Sequence, residues 1–153
     1  LHQDVVEPAR KRGYKRIVLV GVSMGGYGAV RYAMAHPNII STLVLLAPFL
    51  GAGPFEQRMA EAGDEDYNQT WDWLRRYAMS DSADKRAAAV FPRIILGYGN
   101  EDLFLVTDLR LRAILPPGDV VTTFGAHLWS TWLTLFEKIL EDKLFAAPAQ
   151  SVK

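Results

Sequence analysis

Residues 17–29 read Ile-Val-Leu-Val-Gly-Val-Ser-Met-Gly-Gly-Tyr-Gly-Ala. The opening run, Ile17–Val20, is compact and apolar, as a buried strand should be. Gly21-Val22-Ser23-Met24-Gly25 has the form G-x-S-x-G, and from Gly25 to Ala35 a helical pattern rich in small residues follows. A strand that turns sharply into a helix strains the residue at the turn and lifts its side chain above the sheet edge. Glycine two positions to either side of Ser23 avoids clashes at such a turn, and Gly26, Gly28 and Ala29 let the helix come close to the sheet. Two other glycine motifs fail here. A phosphate-cradling P-loop needs Lys followed by Ser or Thr after Gly26, where Tyr27 stands, and G-x-G-x-x-G begun at Gly26 ends on Arg31.

Outward from this stretch the same alternation continues. His36-Pro37-Asn38 reads as a helix stop and turn, and Thr42–Leu46 as the second strand. Ile94–Leu96, ended by Gly97, and Val120–Phe124, ended by Gly125, read as the third and fourth. None shows in–out alternation, which suits strands of a parallel sheet covered on both faces. Helical patterns precede Gly13 (Val5, Val6, Ala9) and occupy Val106–Leu115 and Ser130–Leu144. In the last of these Trp129, Trp132, Leu133, Phe136, Ile139 and Leu140 recur at three and four. The fold class is therefore α/β, a parallel sheet with helices on both faces, in one domain over residues 1–153.

The long excursion, residues 49–90, exceeds a simple crossover and is expected to carry helices of its own. Its apolar residues include Phe55, Met59, Tyr67, Trp71, Trp73, Leu74 and Tyr77. Trp71, Leu74 and Ala78 fall on one helical face, with Trp73 and Tyr77 beside it. Such a face is either an apolar wall for an acyl or alkyl group, which makes Trp71 and Trp73 candidate substrate-binding residues, or ordinary packing on the sheet.

Composition narrows the partners. Half the residues are hydrophobic (50%), and 17 Lys plus Arg balance 17 Asp plus Glu. A core is affordable, disorder is excluded, and zero net charge gives no long-range attraction for nucleic acid or an anionic membrane. Cysteine is absent, so disulfides and thiolate metal sites are ruled out. No apolar run approaches the ~20 residues of a membrane span, and no signal peptide is visible, so the expected compartment is the cytoplasm. The chain starts at Leu1 without Met, through processing or because it is part of a longer chain. The basic cluster Arg10, Lys11, Arg12, Lys15, Arg16 and the acidic set Glu61, Asp64, Glu65, Asp66 read as solvated surface.

A serine hydroxyl becomes a good nucleophile only when a base takes its proton and a carboxylate orients that base. Of three histidines, His2 lies at the chain start and His36 at a helix end. His127, after the fourth strand in Phe124-Gly125-Ala126-His127, sits where α/β active sites form. After the third strand comes Gly97-Tyr98-Gly99-Asn100-Glu101-Asp102. Asp102 is the candidate acid, Glu101 its rival, and Asp108 is disfavoured by falling inside a predicted helix.

Taken together these segments resemble bacterial α/β-hydrolases of the esterase/lysophospholipase type. Residues 18–29 are similar to the elbow that carries the nucleophile. Leu45-Leu46-Ala47-Pro48-Phe49-Leu50-Gly51 resembles the segment after the next strand. Tyr98–Phe104 resembles the acid loop and Gly125–Trp132 the histidine loop. The resemblance implies a Ser23–His127–Asp102 triad, one oxyanion-hole donor in the Met24 backbone N–H, and no metal or organic cofactor. It also implies a small-molecule ester as substrate, with thioesterase, amidase, acyltransferase or a non-catalytic binding protein as alternatives. The four strands correspond to the fifth to eighth of that sheet, so its first strands and its second oxyanion donor are missing, and residues 49–90 form a lid-like helical insertion. The histidine loop commonly reads Gly-Gly-His-Asp-Trp, whereas Ala126 and Leu128 flank His127. Leu103 stands where the acid loop often has Arg. A further expectation is that the Ile17–Val20 strand, central in the family sheet, is covered by residues that precede Leu1 or by another subunit.

Overall fold

The computed structural model describes residues 1–51, 65–80 and 91–142. Its four strands are β1 (Val18–Val22), β2 (Thr42–Leu46), β3 (Arg93–Gly99) and β4 (Val120–Thr123). They form one parallel sheet in the order β1-β2-β3-β4. Val20 pairs with Val44, Val44 with Ile95, and Leu96 with Val120. The described helices are α1 (Glu7–Lys11), led in by a π-helical turn over His2–Val6, α2 (Met24–Ala35), α3 (Glu65–Met79), α4 (Leu105–Arg112) and α5 (Trp129–Glu141).

Alternate residues of the two inner strands build two cores. Leu43, Leu45, Ile94, Leu96 and Tyr98 pack with α2 through Ala29, Val30 and Ala33, with α3 through Trp71, Leu74 and Tyr77, and with Leu111 of α4. Val44, Leu46 and Ile95 pack with Leu135 and Ile139 of α5 on the other face. Burying each such side chain contributes about 1.5–3 kcal/mol, so the inner strands and α5 fix the sheet. Two expectations are corrected here. Gly97 does not end β3, which continues through Gly99. Burial on both faces holds for β2 and β3 but not for the edges: Val20 of β1 is 46% exposed.

Beside that open edge, Val20 and Val22 of β1 and Trp129, Trp132, Leu133 and Phe136 of α5 line an apolar groove. The insertion is described only in part. Its helix α3 lies in the larger core and is tied to α2 by Arg31 and Asp66 (2.6 Å). Phe55, Met59, Glu61, Asp64 and Val90 lie outside the described residues, as does Leu144 at the expected end of α5. No described helix is long and apolar enough to cross a membrane.

Candidate active site

Ser23 stands between β1 and α2 with φ 52° and ψ −121°, a conformation side-chain-bearing residues rarely adopt. Backbone bonds hold it there: its N–H donates to the Leu46 carbonyl (3.0 Å), and its own carbonyl accepts from Gly26 (2.9 Å) and Phe49 (3.0 Å). Of the flanking glycines, Gly21 meets the expectation, since a Cβ there would fall on the backbone of Gly25 and Gly26. Gly25 does not, because a Cβ on it meets nothing within 4 Å among the described residues. The close approach that keeps α2 near the sheet is made at Gly26, against Pro48.

The acid and histidine loops are stitched to each other. Asn100 N–H donates to the Thr123 carbonyl (3.0 Å) and Glu101 N–H to that of Gly125 (3.0 Å). A Cβ on Gly99 would collide with Gly125, so the two loops touch at a distance only glycine allows. Asp102 is anchored in turn, its Oδ1 accepting the Phe104 N–H at 2.9 Å.

This framework brings Ser23, Asp102 and His127 together. His127 Nδ1 lies 3.0 and 2.9 Å from the two carboxylate oxygens of Asp102, and Nε2 lies 3.0 Å from Ser23 Oγ. The Asp102 side chain is fully buried while that of His127 keeps 14% exposure. That gradient suits a carboxylate that orients and an imidazole that must meet substrate. Glu101 is exposed. Met24 is the first residue of α2, where a helix leaves backbone N–H groups without an intrahelical acceptor. His2 and His36 stack on each other at 4.2 Å at the other end of α2, and His2 Nδ1 lies 2.7 Å from Tyr32 Oη.

Trp71 and Trp73 are both buried in the larger core. Trp71 donates its indole N–H to the Leu50 carbonyl (3.0 Å) under the guanidinium of Arg110, and Trp73 meets Phe91 edge-on at 5.2 Å. The structure gives them a packing role, and the acyl-wall expectation finds no support in these contacts.

Asp108 is placed in α4, as the sequence suggested, but its surroundings were not foreseen. It is fully buried, and neither carboxylate oxygen has a hydrogen-bond partner among the described residues. Burial pushes its pKa up to about 8, and the negative charge of Asp102 adds to the rise. A signal for this existed in the spacing, since Asp108 shares a helical face with Leu111. Among the described residues, no group of three or more His, Asp or Glu is placed to hold a metal ion.

A family model for the alpha/beta hydrolase fold matches residues 9–134. Among solved structures the chain is similar to a ferulic acid esterase (16% identity over 80% of this chain and 48% of that one, TM-score 0.54). It is similar to an S-formylglutathione hydrolase from Agrobacterium tumefaciens (22% identity, 92% of this chain and 54% of that one, TM-score 0.54). A monoacylglycerol lipase from Paleococcus ferrophilus is a third (16% identity, 92% and 74%, TM-score 0.53). At these identities the likeness is one of fold, and the chain spans about half the length of the first two. No curated protein matches the chain.

Proposed function

The chain belongs to the alpha/beta hydrolase fold family, and from that premise we propose that it is a serine hydrolase cleaving a carboxylic ester through an acyl-enzyme. The observation that carries the reading is the unbroken line of contacts from Asp102 through His127 to Ser23 Oγ. Ser23 Oγ attacks the acyl carbon as His127 Nε2 takes its proton, and Asp102 holds the resulting imidazolium. The Met24 N–H donates to the developing oxyanion. The departing alcohol takes the proton back from His127. Water, activated by the same nitrogen, then releases the acid and frees Ser23.

A fluorophosphonate probe tests this directly, because it labels only an activated serine. Labelling of the native chain and its loss in Ser23→Ala is the expected result. No labelling of the native chain would instead favour a hydrolase-like binding protein. A panel of matched ester, thioester and amide substrates then separates an esterase from a thioesterase or amidase, and the ester is expected to turn over fastest.

We propose further that the edge of β1, which no described strand pairs, is covered either by residues that precede Leu1 or, when the 153 residues stand alone, by pairing of two copies of this chain. Residues 17–22 carry neither charge nor proline to protect an edge, the groove beside them is apolar, and zero net charge leaves no repulsion between copies. The 153-residue chain should therefore sediment with a concentration-dependent mass, and Val20→Lys should restore a monomer. A native chain that stays monomeric at all concentrations would contradict the pairing.

A further inference from the structure

The imidazole of His127 has neighbours besides its two hydrogen-bond partners. Phe104 meets it at a centroid distance of 4.7 Å with planes 73° apart, and Trp132 at 4.8 Å and 86°. Phe104 continues to Phe49 (5.3 Å) and Trp132 to Trp129 (5.1 Å), so five rings lie in file with the imidazole at the centre. The file is tied to the other members of the site through the backbone. Phe104 N–H donates to Asp102 Oδ1 (2.9 Å), and Phe49 N–H to the Ser23 carbonyl (3.0 Å).

Two hydrogen bonds at Nδ1 and Nε2 fix the ends of a line through the imidazole but resist rolling about that line only weakly, because hydrogen bonds tolerate moderate misalignment. Rings pressed edge to face on the imidazole supply the missing restraint, and an aromatic face attracts the positive charge the imidazole takes up during the reaction. Both rings are held from rigid places. Phe104 caps α4, and Trp132 belongs to the first turn of α5, whose Leu135 and Ile139 are fully buried.

We propose that Phe104 and Trp132 are positioning residues that hold the His127 ring in the one orientation bridging Asp102 and Ser23. The consequence for turnover rests on the serine-hydrolase reading, whereas the restraint on the ring does not. The test uses Phe104→Leu and Trp132→Leu, with Phe104→Tyr and Trp132→Phe as aromatic counterparts. Trp132→Phe breaks no hydrogen bond, since the buried Trp132 Nε1 has no partner among the described residues. Phe104→Met and Trp132→Met, of similar volume to Leu but unbranched and more adaptable to the gap, serve should Leu not fold.

Two readouts are needed. The first is the His127 Nδ1 proton, which a carboxylate partner moves to the low-field end of the proton NMR spectrum. The second is hydrolysis of a p-nitrophenyl ester. The aliphatic variants should broaden or lose the low-field resonance and lower kcat roughly 3- to 10-fold with KM little changed, the size expected for one lost aromatic pair. The aromatic variants should restore both. A sharp resonance and unchanged kcat in folded aliphatic variants would overturn the proposal, as would failure of the aromatic variants to rescue. If the native chain hydrolyses no ester, the functional reading fails while the resonance still decides the restraint.

Discussion

Asp102→Asn is expected to lower kcat by ~10⁴-fold while the protein stays folded. Nδ1 of His127 sits about equally far from both Asp102 oxygens, at 3.0 and 2.9 Å, so the carboxylate accepts the Nδ1 proton in either orientation. That leaves Nε2 bare and facing Ser23 Oγ at 3.0 Å. An amide in the same place can turn its NH₂ toward Nδ1. The ring then accepts at Nδ1 and carries its proton on Nε2, where it can no longer take one from Ser23. Single-turnover acylation by an activated ester measures the loss at the step concerned. Glu101→Gln is the paired control and should leave the rate within about twofold, as expected of a surface side chain. Retained activity in Asp102→Asn together with loss in Glu101→Gln would move the acid role to Glu101.

Asp108→Asn is expected to raise stability at alkaline pH by several kcal/mol. The native Asp108 carboxyl is lifted from the ordinary 3.8 to about 8. Between those values the folded protein keeps a proton that the unfolded chain has released. Stability must therefore fall as pH rises from about 4 toward 8 and level off once the native group ionises as well. A rise of about four units at ~1.4 kcal/mol each puts the whole effect at ~6 kcal/mol. The asparagine variant has no such proton to lose, though its buried amide costs about 1–3 kcal/mol for lack of partners. Urea unfolding at pH 5 and pH 8 separates the two contributions. The variant should be equal to or weaker than the native protein at pH 5 and clearly stronger at pH 8. Parallel curves for the two proteins would show that Asp108 is not the titrating group.

The site was legible wherever a local pattern carried the chemistry. A strand–Ser–helix turn, a carboxylate after the third strand and a histidine after the fourth are features of short segments, and each lies where its segment ends. What stayed hidden depends on what a face touches rather than on its periodicity. The spacing of Trp71, Trp73 and Tyr77 revealed an apolar face but could not distinguish a substrate wall from the core against Leu50 and Phe91. Asp108 was set aside for being helical, and that was where its oddity lay, in a carboxyl turned inward on the Leu111 face. Gly97 looked like a strand stop because glycine often is one. In an inner strand it instead leaves room for Leu46 and Leu135. The contact of Phe104 with His127 joins two loops far apart in the chain, and although Trp132 follows His127 by a single turn of sequence, spacing alone does not show that its ring packs on the imidazole.

Each strand of the sheet pairs with the strand just before it in the chain, so the sheet can be laid down in the order in which a ribosome releases it. Ser23 comes before β2, whose Leu46 carbonyl then supports its turn. His127, 104 residues later, emerges only after β4. A nascent chain or a proteolytic fragment that ends before β4 therefore lacks the imidazole that lies against Ser23 Oγ. The line of contacts from Asp102 through His127 to Ser23 is complete only once the histidine loop lies against Gly99.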